Sequence, residues 1–262
     1  MKFSLKTIAA AVVMAAAAAS ANAAIDNGAL GNGELMFNAW DGQTSYVYDM
    51  NVSIDSFESA LNAGGALNLS WGNDFTTSFG AWVGTAATSS LKWSILAVES
   101  DGQRRILSTV GNGVTLPALN GQADALRTAV TTVQTSYLNN LNPLLGDDGT
   151  SYVTTSTASA GYAGKIGDKV YSKFNFSTVG NVGNDSYANG LVFEQTLANA
   201  SGIAKGTNTA FVDGTAVHAW VAADNTLHIA AATLPVPEPE SYAMLLAGLG
   251  MIGFMARRRK SA

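Results

Sequence analysis

The stretch from Lys92 to Val110, KWSILAVESDGQRRILSTV, is the clearest hairpin in the chain and decides its class. Aliphatic and β-branched residues run on both sides of Asp101-Gly102, a pair favoured in two-residue turns because both central positions need φ > 0. Such a turn predicts a register in which Glu99 faces Arg104, Ala97 faces Ile106 and Trp93 faces Val110. The first of these is an opposite-charge pair directly across the ladder, which supports the hairpin.

Working outward, the same punctuation recurs. Leu35 to Trp40 and Ser45 to Val52 flank Asp41-Gly42, and Ala66 to Trp71, Val170 to Ser177 and Leu191 to Leu197 are further strand candidates. Tyr171, Phe174, Phe176 and Val192 supply the aromatic or β-branched bulk that a pleated surface accepts. Short antiparallel strands at this spacing predict a mainly β domain, an antiparallel β-sandwich or jelly-roll-like one. One amphipathic helix is expected at about residues 121–141. There Leu126, Val130, Val133, Tyr137 and Leu141 recur at helical spacing between Pro117 and Pro143, with Asn120 as the N-cap. Its apolar stripe should pack on a sheet. No fixed-period repeat is visible, which argues against a solenoid or propeller.

The two ends are of another kind. Lys2 and Lys6 precede an uncharged apolar run, Ile8 to Ala19, and Ala21-Asn22-Ala23 offers the small residues a signal peptidase requires. Cleavage is expected after Ala23, leaving Ala24 as the new N-terminus. The run is too short for the roughly 20 residues that span a bilayer. At the other end, Leu234 to Glu240 alternates proline with other residues and is held extended. Ser241 to Ala256 is uncharged and mostly apolar, roughly 24 Å of helix at 1.5 Å per residue, and Arg257-Arg258-Arg259-Lys260 follows. A single transmembrane helix is expected there, lengthened by snorkelling arginines, with the basic cluster in the cytoplasm and the body outside.

Pro237-Glu238-Pro239, the short apolar helix and Arg257-Arg258-Arg259, in that order, resemble the PEP-CTERM sorting signal of Gram-negative bacteria. The resemblance covers about the last 26 residues. It implies that a membrane-embedded cysteine protease, exosortase, recognises the tail, cuts near Pro237-Glu238-Pro239 and passes the protein to the envelope surface or the exterior. It further implies a host that secretes exopolysaccharide and forms biofilms. The expected organisation is therefore a signal peptide at 1–23, an exported β-rich domain at 24–234 and a sorting tail at 235–262. Signal peptidase, an exosortase-like protease and exopolysaccharide are the implied partners, and the inner membrane holds the precursor. Gly248-Leu249-Gly250-Met251-Ile252-Gly253 matches G-x-G-x-x-G, but neither a preceding strand nor a downstream acid supports a nucleotide site.

Charge and composition narrow the body further. Of 14 Lys/Arg, two lie in the N-terminal signal and four in the C-terminal cluster; of 19 Asp/Glu, two lie in the tail. The body thus carries 8 basic against 17 acidic residues, a poor match for nucleic acid, which requires clustered Lys/Arg. Arg104-Arg105 is its one basic doublet and reads as a solvated strand edge. The chain has no cysteine, so disulfides and thiolate chemistry are excluded.

No catalytic constellation stands out, and neither a metal nor a cofactor is expected. If Asp224-Asn225 turns a second hairpin, Trp220 pairs with Ile229 and Val221 with His228, which puts His218 and His228 on opposite faces of the sheet. Asp147-Asp148-Gly149 and Asn184-Asp185 lack the ordered spacing of a calcium loop and read as turns. The expectation is a non-enzymatic surface or extracellular-matrix protein with a structural or interaction role associated with exopolysaccharide. The alternative is a glycan-binding module that uses Trp40, Trp71, Trp82, Trp93 or Trp220, although tryptophan in a β domain is more often buried. A secreted hydrolase is the third reading and would need convergent carboxylates in a cleft.

Overall fold

The computed structural model describes residues 24–63, 66–101, 104–111, 128–145, 150–166, 185–198 and 206–231. All belong to the first of the chain's two units, Met1–Ala232. Among the described residues eleven strands are present: β1 (Glu34–Trp40), β2 (Ser45–Ser53), β3 (Asn68–Trp71), β4 (Lys92–Glu99), β5 (Arg105–Val110), β6 (Ser151–Thr154), β7 (Leu191–Leu197), β8 (Thr207–Ala210), β9 (Val212–Asp213), β10 (Thr215–Val221) and β11 (Leu227–Ala231). They run antiparallel in the order β3-β11-β10-β7-β5-β4-β1-β2-β6, with β8 on the edge of β7 and β9 on β10. The mainly antiparallel β expectation holds. The two-sheet sandwich is not seen among the described residues, whose strands form one curled half-barrel sheet. Its curl brings edge strand β3 back toward β2, where Trp71 Nε1 donates to Met50 O at 3.1 Å.

The reason lies in what covers the inner face. Leu35, Phe37 and Ala39 of β1, Tyr46 and Tyr48 of β2, and Trp93, Ile95 and Ala97 of β4 all point inward. They meet two helices, α1 (Ile54–Asn62) and α2 (Asp74–Val83), instead of a second sheet. Ser53 starts α1 by accepting a bond from Ser56 N, and Ile54, Phe57 and Ala60 are buried at helical spacing. Phe75, Phe79 and Trp82 do the same on α2. The Phe37 ring packs edge-on to Phe75 at 5.0 Å and Phe79 at 5.4 Å, and stacks on Trp93 at 5.6 Å. The sequence reading allowed one helix; these two were hidden by their shortness and by the aromatic, strand-like look of their residues.

The expected helix is present where the structure describes it, from residue 128 to 141, and is labelled α3. It widens to a π-helical turn over Thr132–Leu138. Val130, Val133, Tyr137 and Leu141 lie against the outer face of the sheet, over Met36, Val47, Leu96 and Ile106. Leu126 and Asn120 fall outside the described residues, as do Val170 to Ser177 and the expected membrane helix at 241–256. Among the described residues no helix is long and apolar enough to cross a membrane.

Both hairpin registers differ from expectation by one residue. Glu99 pairs with Arg105, not Arg104, and Ala97 with Leu107, not Ile106. The last ladder pair is therefore Glu99 with Arg105, and the residue after Glu99 is tied elsewhere: Ser100 N donates to Gly28 O at 2.9 Å. The shift swaps the faces of β5, sending Leu107 inward and Ile106 outward. Both faces are apolar here, so hydrophobic pattern alone does not choose between registers. Arg105 is not a solvated edge residue either. It bridges Glu99 at 2.8 Å, Glu58 at 2.7 Å and Asp55 at 3.2 Å, and so ties β4 and β5 to α1.

Candidate functional site

The second hairpin shows how one turn residue reorders a surface. Asn225 N bonds to Ala222 O, and Asn225 itself has φ 65°. This is a three-residue loop, a type I turn closed by a left-handed residue, rather than the two-residue turn expected for Asp224-Asn225. Trp220 consequently pairs with His228 and Val221 with Leu227. His228 moves to the face that carries His218, so the two imidazoles share a face instead of opposing each other.

On that outer face His228 stacks on Trp220 with ring centroids 4.9 Å apart. His218 stacks on Tyr187 at 4.5 Å, and Tyr187 meets Trp220 edge-on at 6.0 Å. Tyr187 comes from the turn before β7, pinned by its hydroxyl to Ala216 O at 2.7 Å. Gly190 permits this approach, since a Cβ there would sit 2.8 Å from Ala219 O. His218 Nδ1 lies 2.7 Å from Tyr187 O. A carbonyl only accepts, so Nδ1 carries the proton. Burial holds the His228 imidazole below its ordinary range, and the Asp224 carboxylate partly offsets this. Tyr187, Trp220 and His228 are half-exposed. The result is a half-exposed aromatic cluster of two stacked pairs, His218–Tyr187 and His228–Trp220, that meet edge-on. Tyr187 was missed in sequence because its turn lies beyond any periodic segment.

The five tryptophans divide. Trp40, Trp82 and Trp93 are buried in the two cores, and Trp71 packs against the inner one. Trp220 alone among them serves the cluster. No group of three or more His, Asp or Glu able to hold a metal occurs among the described residues. Asp185 is described and exposed; Asn184 and Asp147-Asp148-Gly149 lie outside the described residues.

A second feature lies at the opposite end of the sheet order. An open pocket of about 480 Å³ is walled by Trp40, Asp41, Lys92, Thr157, Tyr162 and Lys165. Asp41 is committed to the β1–β2 turn: its carboxylate accepts from Gln43 N, Thr44 N, Thr44 Oγ1 and Ala87 N. Burial opposes its charge, but these bonds outweigh burial and hold its carboxyl below the usual range. Neither Lys92 nor Lys165 forms an ion pair among the described residues.

Ala21, Ala23, Pro237, Glu238, Pro239, Arg257, Arg258 and Arg259 lie outside the described residues, and Ala24, the first described, is exposed. For this segment comparison with known families is decisive. Residues 235–260 match the PEP-CTERM protein-sorting motif. The motif marks an exported chain, held at the membrane as a precursor and processed by exosortase-like machinery. No curated protein and no solved structure matches the chain.

Proposed function

We propose that this chain is a non-enzymatic surface or matrix protein whose β domain makes contacts within secreted exopolysaccharide after exosortase releases it. The sorting motif at 235–260 carries this reading. Signal peptidase removes residues 1–23. The short apolar helix and Arg257-Arg258-Arg259 then hold the precursor in the inner membrane with the body outside. The prolines keep Pro237-Glu238-Pro239 extended and accessible to a protease.

Intact mass of the protein recovered from the outer envelope or medium tests the processing. The expected species starts at Ala24 and ends near Pro237-Glu238-Pro239. A surface form that still carries its apolar tail would leave a plain anchor in place of sorting by cleavage. Changing Pro237-Glu238-Pro239 to alanines should leave insertion intact and cause uncut precursor to accumulate in the membrane fraction.

Glycan binding is the second reading, and the half-exposed cluster of Tyr187, Trp220 and His228 favours it. Half-exposed aromatic rings are groups that sugars contact, and a matrix protein needs a means of holding its matrix. Retention of the purified protein on the host's own exopolysaccharide tests this directly; a protein that washes through at low salt would argue for protein–protein contacts instead.

A further inference from the structure

We infer that the pocket between the β1–β2 turn and the loop after β6 binds an acidic saccharide, with Lys92 and Lys165 holding its carboxylate. The inference rests on the glycan-contact reading above and names the ligand class for one site.

Three observations converge on it. The first is charge. The body holds 8 basic and 17 acidic residues, yet two of the eight basic side chains line one pocket of about 480 Å³. Neither is neutralised by a described carboxylate. Asp41, the acid in the wall, has its oxygens occupied by four donors of its own turn and the neighbouring segment. Two ammonium groups against one carboxylate that is committed to its own turn leave the wall net positive, which favours a bound anion.

The second is preorganisation. Lys92 opens β4 and pairs with Trp40 at the end of β1, so its Cα position is set by the sheet. Lys165 Nζ donates to Ser159 O at 2.6 Å and Ala158 O at 3.3 Å, which leaves one of its three N–H groups for a ligand. The loop that carries Lys165 is itself braced: Tyr162 N bonds to Ser159 O, and Ala163 N to Ser45 Oγ. A site with one of its two cations already positioned loses less entropy on binding.

The third is the rest of the wall. Trp40 and Tyr162, both largely buried, add apolar wall, and the exposed Thr157 adds a hydroxyl. Apolar faces with a few placed polar groups are the usual composition of a small-molecule site. Apolar wall beside hydroxyl and ammonium donors suits a ring that bears both C–H groups and a carboxylate, as a uronic acid does.

The test is calorimetric titration of the full-length chain in mild detergent with an oligogalacturonate, a neutral galactan oligomer of equal length and inorganic phosphate. The acidic oligomer should bind, and the neutral one should bind at least tenfold more weakly. Loss of one charge-assisted bond in Lys92→Gln should raise Kd about tenfold. Lys92 is exposed, so this variant should melt with the wild type; Lys165→Gln is the second variant, read together with its melting temperature. Equal binding of the two oligomers, an unchanged Kd in Lys92→Gln, or displacement of the sugar by equimolar phosphate would each overturn the proposal. Recovery of wild type and Lys92→Gln from the host matrix separates the two readings. Equal retention of both variants sinks the pocket and leaves the matrix role standing. Binding in the calorimeter without matrix retention of the wild type does the reverse.

Discussion

The two halves of the sheet use the same alternation for different ends. In β1, β2, β4 and β5 both faces are apolar and both are covered, by α1 and α2 inside and by α3 outside. In β10 and β11 only the inner face joins the core, through Val217, Ala219, Leu227 and Ile229. Their outer face carries His218, Trp220 and His228, which pack on each other and on Tyr187 rather than beneath a described helix. The lesson concerns register. A strand covered on both faces loses little apolar burial when it slips by one residue, whereas a strand covered on one face has its whole chemistry inverted by the same slip.

Phe37→Ala is the severest way to break this contrast. It removes a fully buried ring that touches Tyr46, Phe75, Phe79 and Trp93 in the doubly covered half, and should cost about 3–5 kcal/mol in denaturant unfolding. A loss below about 1 kcal/mol would mean the inner core is not packed as described.

Next comes a carboxylate that the covered half buries on its outer side. Burial pushes the Asp49 carboxyl up to about 7; the bond from Asn51 N opposes this, and the nearby Glu34 carboxylate adds to it. The folded value lies above the ordinary one, so the native state favours the protonated acid. Stability should then fall as pH rises from about 4 to about 7 and level off above that, a change on the order of a few kcal/mol. Asp49→Asn should flatten the melting temperature across this window. A domain whose stability rises over the same range would contradict the assignment.

Asn225 sharpens the comparison at its source. Asn225→Val places a β-branched residue at φ 65° and should destabilise by about 1–2 kcal/mol, while Asn225→Gly should be nearly neutral. Cross-strand nuclear Overhauser effects between Trp220 and His228 report the register; contacts from Trp220 to Ile229 instead would restore the two-residue turn.

Trp220→Ala should show the smallest stability effect, under about 1.5 kcal/mol, because the indole is half-exposed and its main contacts are one stacked and one edge-on ring. Its cost should appear in retention on exopolysaccharide. A loss as large as that of Phe37→Ala would show that the outer cluster is core.

How far the chain could be read without its structure follows from the reach of each signal. The sorting motif is linear: Pro237-Glu238-Pro239, an apolar stretch and Arg257-Arg258-Arg259 follow one another in the chain, so their order suffices to recognise it. Strand identity is local as well. Leu191–Leu197 appears with the limits its residues suggest, and the stripe of Val130, Val133, Tyr137 and Leu141 is buried as its spacing requires. What lay beyond local reading was pairing. Asp101-Gly102 and Asp224-Asn225 are both sound turn signals, yet the first loop is tied to Gly28 and the second closes through a left-handed Asn225. Each moves its partner strand by one residue. The choice of helices over a second sheet as the inner cover, and the meeting of Lys92 with Lys165, depend on segments far apart in the chain. Sequence alone carried the sorting motif and the longer strands; the tertiary structure decided which faces meet, because a strand has two faces and only its neighbours choose between them.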